Sequence, residues 1–179
     1  MLSPLIGLEL ALIWFVQGLD PCFYYNSFMK YWLLKSEPGA FSILDLERKR
    51  KESWDGVRNY QARNSLRDEM SPGDLGIFYH SNALPSGAAG VCRIASPSRP
   101  DPTAFEPGHI HFDPKSDPES PRWWLVDVEF VQKFRQVIPL SILRDIPALA
   151  NMSLLRKGQR LSVMQITKGE FEAIIQLSN

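Results

Sequence analysis

The amino-acid sequence predicts a mixed α/β fold, in which a small and partly closed β-barrel carries helices on its outside. Strand-like segments alternate with short helical segments, and one segment, residues 123–137, has the length of a single long strand. The length of 179 residues is that of one domain. A content of 44% hydrophobic and 22% charged residues is typical of a soluble globular protein.

Basic and acidic residues are balanced at 20 each, which gives a formal net charge of zero. This balance argues against a protein that coats nucleic acid by bulk charge, although it allows a local basic patch. The two cysteines, Cys22 and Cys92, are far apart and lack the spacing of metal ligands. We expect both cysteines to be free thiols, which indicates a reducing compartment. The expected location of the protein is therefore the cytoplasm, and association with the nucleoid is a further option.

Residues 1–28 differ in character from the rest of the chain. Residues 5–16 are almost wholly apolar, and no Lys or Arg precedes Lys30, so the positive segment of a signal peptide is missing. The apolar run is also shorter than the roughly 20 residues that span a bilayer, and we expect no membrane partner. We predict an extension over residues 1–28, a natural start at Met29, and a domain over residues 29–179.

The first third of the domain combines one strand with two helices. Residues 31–35 form a short apolar run that is typical of a buried strand. Ser42 and Asp45 have the spacing of a capping box, which predicts a helix that ends near Arg50. Asn59 is a suitable N-cap for a helix over residues 60–70.

The middle of the chain predicts two neighbouring strands and a long loop. Residues 75–81 alternate as a strand does, and small residues in the return strand, residues 88–96, would let another element approach closely. Residues 97–121 contain seven prolines, which predicts a long loop.

The last third begins with the long strand over residues 123–137. Two short helices are predicted over residues 140–145 and 147–156, followed by a strand over residues 161–166. Thr167 and Glu170 have the spacing of a second capping box and predict a closing helix.

Residues 54–64 are the most unusual stretch, because eleven residues hold two aromatics, two Arg, two Asn, one Gln and one Asp. Flat rings, planar cations and amide groups together are what a protein needs to hold an unstacked nucleobase and read its edge. The alternative is that Trp54 is a core anchor at a helix entry, since buried Trp usually serves packing.

Six motifs occur in an order that looks like an EVE domain, and the chain resembles that family over residues 30–177. The motifs are WLLKSEP (32–38), WDGVRNYQARN (54–64), FYHSN (78–82), HFDP (111–114), WWLVDVEF (123–130) and RLSV (160–163). The resemblance implies a PUA-like small β-barrel with flanking helices, related to PUA, ASCH and YTH domains. It also implies nucleic acid with a modified base as the partner, a modified cytosine in particular. Met164 and Gln165 stand where the family often has Pro, which affects only the expected geometry of that strand.

The resemblance also implies where a base would bind. Lys35 and Ser36 match the end of the first strand at the pocket, Trp54 matches an aromatic wall, and Tyr79, His80 and Ser81 match the strand at its mouth. We expect the flipped base to stack on Trp54, with Tyr79 opposite, while Ser36, Asn59 or Asn64 bind its Watson–Crick edge. His80 or Ser81 would bind a polar modification. Arg58, Arg63 and Arg67 are predicted to hold the flanking phosphates.

Two other function classes remain open. In the first, the chain is a small ASCH-like hydrolase acting on modified nucleosides or RNA, in which Lys35 works with Glu37 or Asp55. In the second, it is a protein-interaction domain without a ligand. The sequence favours neither DNA nor RNA and indicates no oligomeric state.

Two further groups of polar residues are interpreted without a ligand. His109, His111 and Asp113 alternate as metal ligands can, but they lie on a Pro-rich loop without a fourth ligand, so we predict no metal and no cofactor. Lys157 and Arg160 are interpreted as solvated surface, since charged side chains usually are.

Overall fold

The computed structural model describes residues 29–178, and the predicted extension over residues 1–28 lies outside them. Within the described part, six strands form one main sheet in the order β2-β7-β4-β3-β1-β8. The sheet curls into a half-barrel, which confirms the predicted mixed α/β, PUA-like fold. The strands are β1 (Tyr31–Ser36), β2 (Lys51–Ser53), β3 (Leu75–His80), β4 (Gly87–Ile94), β7 (Asp127–Pro139) and β8 (Val163–Ile166). A separate ribbon pairs β5 (Arg99–Pro100) with β6 (Trp124–Leu125).

The helices are short and surround the sheet. They are α1 (Ile43–Lys49), α2 (Tyr60–Asn64), which continues as a π-helix over Ser65–Glu69, α3 (Leu140–Arg144) and α4 (Lys168–Gln176). Both predicted capping boxes are present, since Ser42 and Asp45 bond reciprocally before α1, as Thr167 and Glu170 do before α4. These local side-chain bonds satisfy N–H groups that every helix start leaves unpaired.

Strands β1 and β3 are parallel neighbours, whereas the other pairs in the main sheet are antiparallel. Ser36 at the end of β1 lies opposite His80 at the end of β3. The two strands therefore present their last side chains at one place, which we call the β1/β3 edge. Parallel strands generally bring functional groups together at their carboxyl ends.

The main sheet separates two hydrophobic cores, because successive side chains of a strand point to opposite faces. On the α1 face, Leu34 and Phe78 pack with Leu46 of α1. On the α4 face, Leu33 and Tyr79 pack in the cluster that also contains Phe171 of α4.

Glycines in β4 allow β7 to pass very close, as the small residues of this strand predict. A Cβ atom at Gly87 would lie 2.1 Å from the carbonyl oxygen of Ile138, and one at Gly90 would lie 2.4 Å from that of Gln132. Between them, the pairing of β3 with β4 shifts register at Phe78 and Tyr79, which is a β-bulge. Bulges change the direction of a strand and recur beside functional sites.

Two predicted elements are wrong in part, and one strand is additional. Residues 147–156 are not one helix but two 3-10 turns, Pro147–Leu149 and Ser153–Leu155. Residues 150–152 separate the two turns. The long strand is interrupted at Val126, so β6 pairs with β5 while β7 joins the main sheet. Strand β2 is too short to show a periodic pattern and was not predicted.

Cys92 is a free thiol, as predicted, and burial raises its pKa to about 12. A thiol with so high a pKa stays protonated and inert at neutral pH. Within residues 29–178, every helix is too short or too polar to cross a membrane.

Candidate functional site

The side chains predicted to contact a base divide between the two faces of the main sheet. Ser36, Trp54 and His80 belong to the α1 face, where Trp54 shares a core cluster with Phe78. Lys35 and Tyr79 belong to the α4 face. A base held between Trp54 and Tyr79 does not fit this arrangement, because the sheet lies between them. The prediction that Trp54 and Tyr79 enclose one base between them is therefore wrong.

The α1 face presents three aromatic rings in succession. Trp54 meets Phe78 edge to face at 5.5 Å between ring centroids, and Phe78 meets His80 edge to face at 5.7 Å. Trp54 is only 7% exposed, so most of its indole packs in the core. The interpretation of Trp54 as a core anchor is confirmed for its packing, while its contact with a base stays a prediction.

His80 is held as a neutral ring. Its Nε2 atom accepts the backbone N–H of Ile43 at 3.1 Å, and burial lowers the pKa of the imidazole. A neutral imidazole that accepts at Nε2 carries its proton on Nδ1. Among residues 29–178 that Nδ1–H has no acceptor, so it is available to a ligand.

On the α4 face a cleft of about 430 Å³ opens beside the β1/β3 edge. We call it the basic cleft. It brings together three predicted residues, namely Lys35, Tyr79 and Ser81. Its walls are completed by the loop after β3, the start of α3 and the loop before β8, with the residues Asn82, Ser86, Leu140, Arg144, Leu154, Leu155, Arg156, Lys157, Gly158, Gln159 and Arg160.

Two titratable groups lie inside the basic cleft. Lys35 is half-buried, and this burial lowers its pKa, while its Nζ donates to the carbonyl oxygen of Gln159 at 3.3 Å. Burial raises the pKa of Tyr79, and the positive charge of Arg144 partly opposes that effect. The phenol of Tyr79 therefore remains protonated at neutral pH.

Four cations of the basic cleft were not connected with a ligand from the sequence. Arg144 and Arg156 were not singled out. Lys157 and Arg160 are solvent-exposed, as interpreted, but the fold also places them at the cleft with the other two. The available signal was the density of charge in residues 156–160, which hold three cations around Gly158. Gly158 has a φ of +78°, a left-handed turn that glycine adopts easily.

Arg58 is fully occupied within the protein, which corrects its predicted contact with phosphate. Its Nη1 donates to Asp101 at 2.7 Å and to the carbonyl oxygen of Val57 at 3.3 Å. Its Nη2 donates to Thr103 at 3.0 Å and also to the carbonyl oxygen of His111, to which Nε donates at 2.9 Å. A guanidinium has five N–H donors, and all five are used: four of the bonds fasten the long loop and the fifth goes to Val57.

Arg63 and Arg67 are bound less completely. The guanidinium of Arg63 lies 5.0 Å from the ring centroid of Tyr60 and donates to Asn64 and to the carbonyl oxygen of Arg122. Arg67 forms two bonds, at 2.7 and 2.8 Å, with the carboxylate of Asp68. Solvent screens the exposed Arg67–Asp68 pair, so Asp68 holds Arg67 only weakly. Phosphate contacts by both arginines stay predictions.

Asn59 caps helix α2, since its Oδ1 accepts the backbone N–H of Ala62 at 3.0 Å. We expect Asn59→Ala to lower the free energy of unfolding by about 1 kcal/mol, because this cap is lost. Asn59→Ser should restore most of that stability, since Ser also caps helices well. Urea denaturation of both variants measures the effect, and equal stability of the two would contradict the capping role.

The pairing required by the hydrolase alternative is not formed. Glu37 accepts a bond from Asn82 at 2.6 Å, and Lys35 makes no ion pair with Glu37 or Asp55 in the described part of the chain. Asp55 lies near Asp101 instead, and burial together with that negative charge raises its pKa.

The two histidines of the long loop contact each other. The rings of His109 and His111 lie 5.5 Å apart, and Nδ1 of His109 accepts the backbone N–H of His111 at 3.1 Å. Over residues 29–178, no three His, Cys, Asp or Glu side chains are grouped so that they could bind a metal.

Comparison with known proteins gives consistent matches along the domain. A sequence profile of the EVE domain matches residues 30–177. The chain is 41% identical to human thymocyte nuclear protein 1 over 166 residues, which cover 82% of this chain and 73% of that protein.

Solved structures resemble the domain equally well. A protein from Pseudomonas syringae matches with a TM-score of 0.80 and 46% identity over 83% of this chain and 99% of its own. Human THYN1 protein in complex with DNA containing 5-methylcytosine matches with a TM-score of 0.78 and 41% identity, over 84% and 98% of the two chains.

An ASCH protein from Zymomonas mobilis shares the fold alone. Its TM-score is 0.51 at 11% identity, over 84% of this chain and 99% of its own. So low an identity carries no information about a shared activity.

Proposed function

The chain belongs to the EVE domain family, and on this basis we propose that it is a binding module for nucleic acid that carries a modified base, a modified cytosine in particular. The modified base leaves its stack and enters the α1 face at the β1/β3 edge. No bond of the nucleic acid is broken in this proposal, which makes the protein a reader and not an enzyme.

The observation that carries the proposal is the likeness to human THYN1 protein, which was solved in complex with DNA containing 5-methylcytosine. The two proteins are 41% identical, and the match covers 84% of this chain. The β1/β3 edge lies within residues 30–177, the region that matches the EVE family. A likeness of this extent supports the same class of ligand, although the ligand class is a property of the site and not of the fold.

The α1 face suits a base that has left its stack. Ser36 and His80 stand side by side at the ends of their strands, and Phe78 and Trp54 form an apolar layer behind them. The free Nδ1–H of His80 can donate to a carbonyl or ring-nitrogen acceptor on the base edge, and stacking can add about 1–3 kcal/mol per base.

The kind of modification determines how large the preference can be. Burial of one methyl group contributes only ~0.8 kcal/mol, which corresponds to roughly fourfold in affinity. A hydroxymethyl or formyl group can accept a hydrogen bond as well, and such a bond contributes about 1 kcal/mol more. We therefore expect a modest preference for 5-methylcytosine and a larger one for a polar modification that accepts from the Nδ1–H of His80, since the Ser36 hydroxyl already donates to the carbonyl oxygen of Phe41 at 2.7 Å.

The test is a binding panel of short single-stranded and double-stranded DNA and RNA, in which one cytosine is unmodified, methylated, hydroxymethylated or formylated. We expect at least one modified form to bind roughly fourfold or more tightly than its unmodified match, as measured by fluorescence anisotropy. Equal affinities across the panel would overturn the proposal.

Matched aromatic substitutions locate the base. Trp54→Phe should reduce the preference for the modified form, because the apolar layer of the α1 face changes shape. Tyr79→Phe changes a ring on the opposite face, and it should leave the preference unaltered. The reverse pattern would place the base on the α4 face instead.

A further inference from the structure

The basic cleft has a strong excess of positive charge. Five of its lining side chains are cations, namely Lys35, Arg144, Arg156, Lys157 and Arg160, and its lining includes no Asp or Glu. None of the five forms an ion pair within residues 29–178, although nine such pairs occur elsewhere in that part of the chain. In a chain with a net charge of zero, this concentration of unpaired cations calls for an anionic ligand.

The loop that supplies three of the cations is braced from within. Gln159 Oε1 accepts the backbone N–H of Leu161 at 2.9 Å, and the backbone N–H of Gln159 donates to the carbonyl oxygen of Arg156 at 3.2 Å. Lys35 ties the loop to the sheet through its backbone N–H, which donates to Ser162 at 2.8 Å. A braced loop loses less entropy when it binds a ligand, which favours affinity.

The size and position of the basic cleft fit a polymer of phosphates. Its volume of about 430 Å³ lies in the range of ligand sites and exceeds what a lone small anion requires. Lys35 and Tyr79 line the cleft on the α4 face. The residues that follow them in the sequence, Ser36 and His80, lie on the α1 face. A nucleotide chain that crosses the β1/β3 edge can thus place one base on the α1 face and its phosphates in the cleft.

We infer that the basic cleft is the binding site for the sugar–phosphate backbone next to the recognised base. This inference rests on the proposed function and replaces the predicted role of Arg58. Phosphate contacts here carry no information about the modification, because phosphates are the same in every sequence. They determine affinity and its dependence on salt.

The test compares two double variants of equal charge. Arg156→Gln with Lys157→Gln removes two exposed cations from the cleft, and Lys115→Gln with Arg135→Gln removes two exposed cations that do not line it. Affinity for a single-stranded oligonucleotide is measured over a series of salt concentrations. The cleft variant should lower the slope of log affinity against log salt by about 1.4, since each phosphate contact on a single strand contributes ~0.7. The control variant should keep the slope of the parent.

Three additional measurements separate this inference from the proposed function. The cleft variant should lose the same factor in affinity for modified and unmodified oligonucleotides, and for an abasic oligonucleotide of equal length. Inorganic phosphate at equal phosphate concentration should compete poorly, because a single anion cannot span the cleft. Unaltered thermal stability would show that the variants are folded.

The possible outcomes are distinct. A cleft variant with the parent's salt slope overturns the inference while the proposed function stands. If the parent protein binds oligonucleotides without preferring any modification, the modified-base proposal is overturned. If the salt slope nevertheless falls in the cleft variant, the inference is supported. Parent protein that binds no oligonucleotide overturns both, and efficient competition by inorganic phosphate assigns the cleft to small anions instead.

Discussion

Trp54→Ala is expected to lower the free energy of unfolding by about 3–5 kcal/mol, the usual cost of removing a buried large aromatic side chain. Trp54 is 7% exposed and packs edge to face against Phe78, so alanine would leave a cavity in the α1 core. The measurement is chemical denaturation of the parent and the variant under identical conditions.

Two further variants serve as controls for Trp54. Trp54→Phe keeps a ring against Phe78 and should lose clearly less stability than Trp54→Ala. Leu84→Ala changes an apolar side chain that is fully exposed, and its effect should stay within about 0.5 kcal/mol. A loss below about 1 kcal/mol in Trp54→Ala would contradict the core packing of the indole.

This stability effect determines how binding data on Trp54 must be read. Trp54→Ala will lose affinity for any ligand if part of the protein is unfolded. Trp54→Phe is therefore the informative variant for recognition, because it changes the aromatic layer while it keeps most of the core.

Asp101→Ala is expected to cost about 3–5 kcal/mol, the usual result of breaking a buried ion pair at one partner. The Asp101 side chain is 1% exposed and accepts bonds from Arg58 at 2.7 Å and from the backbone of Gly56 at 3.0 Å. It also accepts two bonds from Thr103, at 2.9 and 2.6 Å. Its removal would leave the largely buried guanidinium of Arg58 without a counter-charge.

A matched exposed pair provides the comparison for Asp101. Asp68→Ala removes the partner of Arg67 at the surface, where the Asp68 side chain is 48% exposed. Solvent screens such a pair, so its loss should cost far less stability than the loss of Asp101. Similar losses in the two variants would contradict the structural role of the Arg58–Asp101 pair.

The same carboxylate makes stability depend on pH. Burial by itself would raise the pKa of Asp101, but the bonds from Arg58, Thr103 and Gly56 outweigh it and hold the pKa below the ordinary value of 3.8. A carboxyl group whose pKa is lowered by folding stabilises the folded state at pH values above its ordinary pKa. This stabilisation is lost as the pH falls through the pKa of the folded state. The stability advantage of the parent over Asp101→Asn should therefore shrink below pH 3.8 and stay constant near neutral pH.

Local patterns in the sequence determined most of the fold. The capping boxes at Ser42 and Thr167 were found because a cap and its partner lie three residues apart. Strands β1, β3 and β8 were found because burial on a sheet leaves a pattern within four to six residues. Strand β2, with three residues, lies below that length.

The family also followed from the sequence, because the six motifs extend over most of the domain. The resemblance to the EVE domain is confirmed by the match over residues 30–177. Residue types in the motifs indicated a base and its phosphates, since flat rings and guanidinium groups suit those partners.

Only the tertiary structure decided which side chains are available to a ligand. Arg58 looked like a phosphate ligand, yet Asp101, Thr103 and His111, which lie 43 to 53 positions away, take up its donors together with its neighbour Val57. Tyr79 and Trp54 looked like one pocket, yet the main sheet separates them. The basic cleft joins Lys35 to the loop at Gln159, 124 positions away. A hydrogen bond or a cleft forms between residues that the folded chain brings within a few ångströms of each other, however far apart they are in the sequence. Local sequence patterns extend over only a few residues, so they do not reveal such contacts.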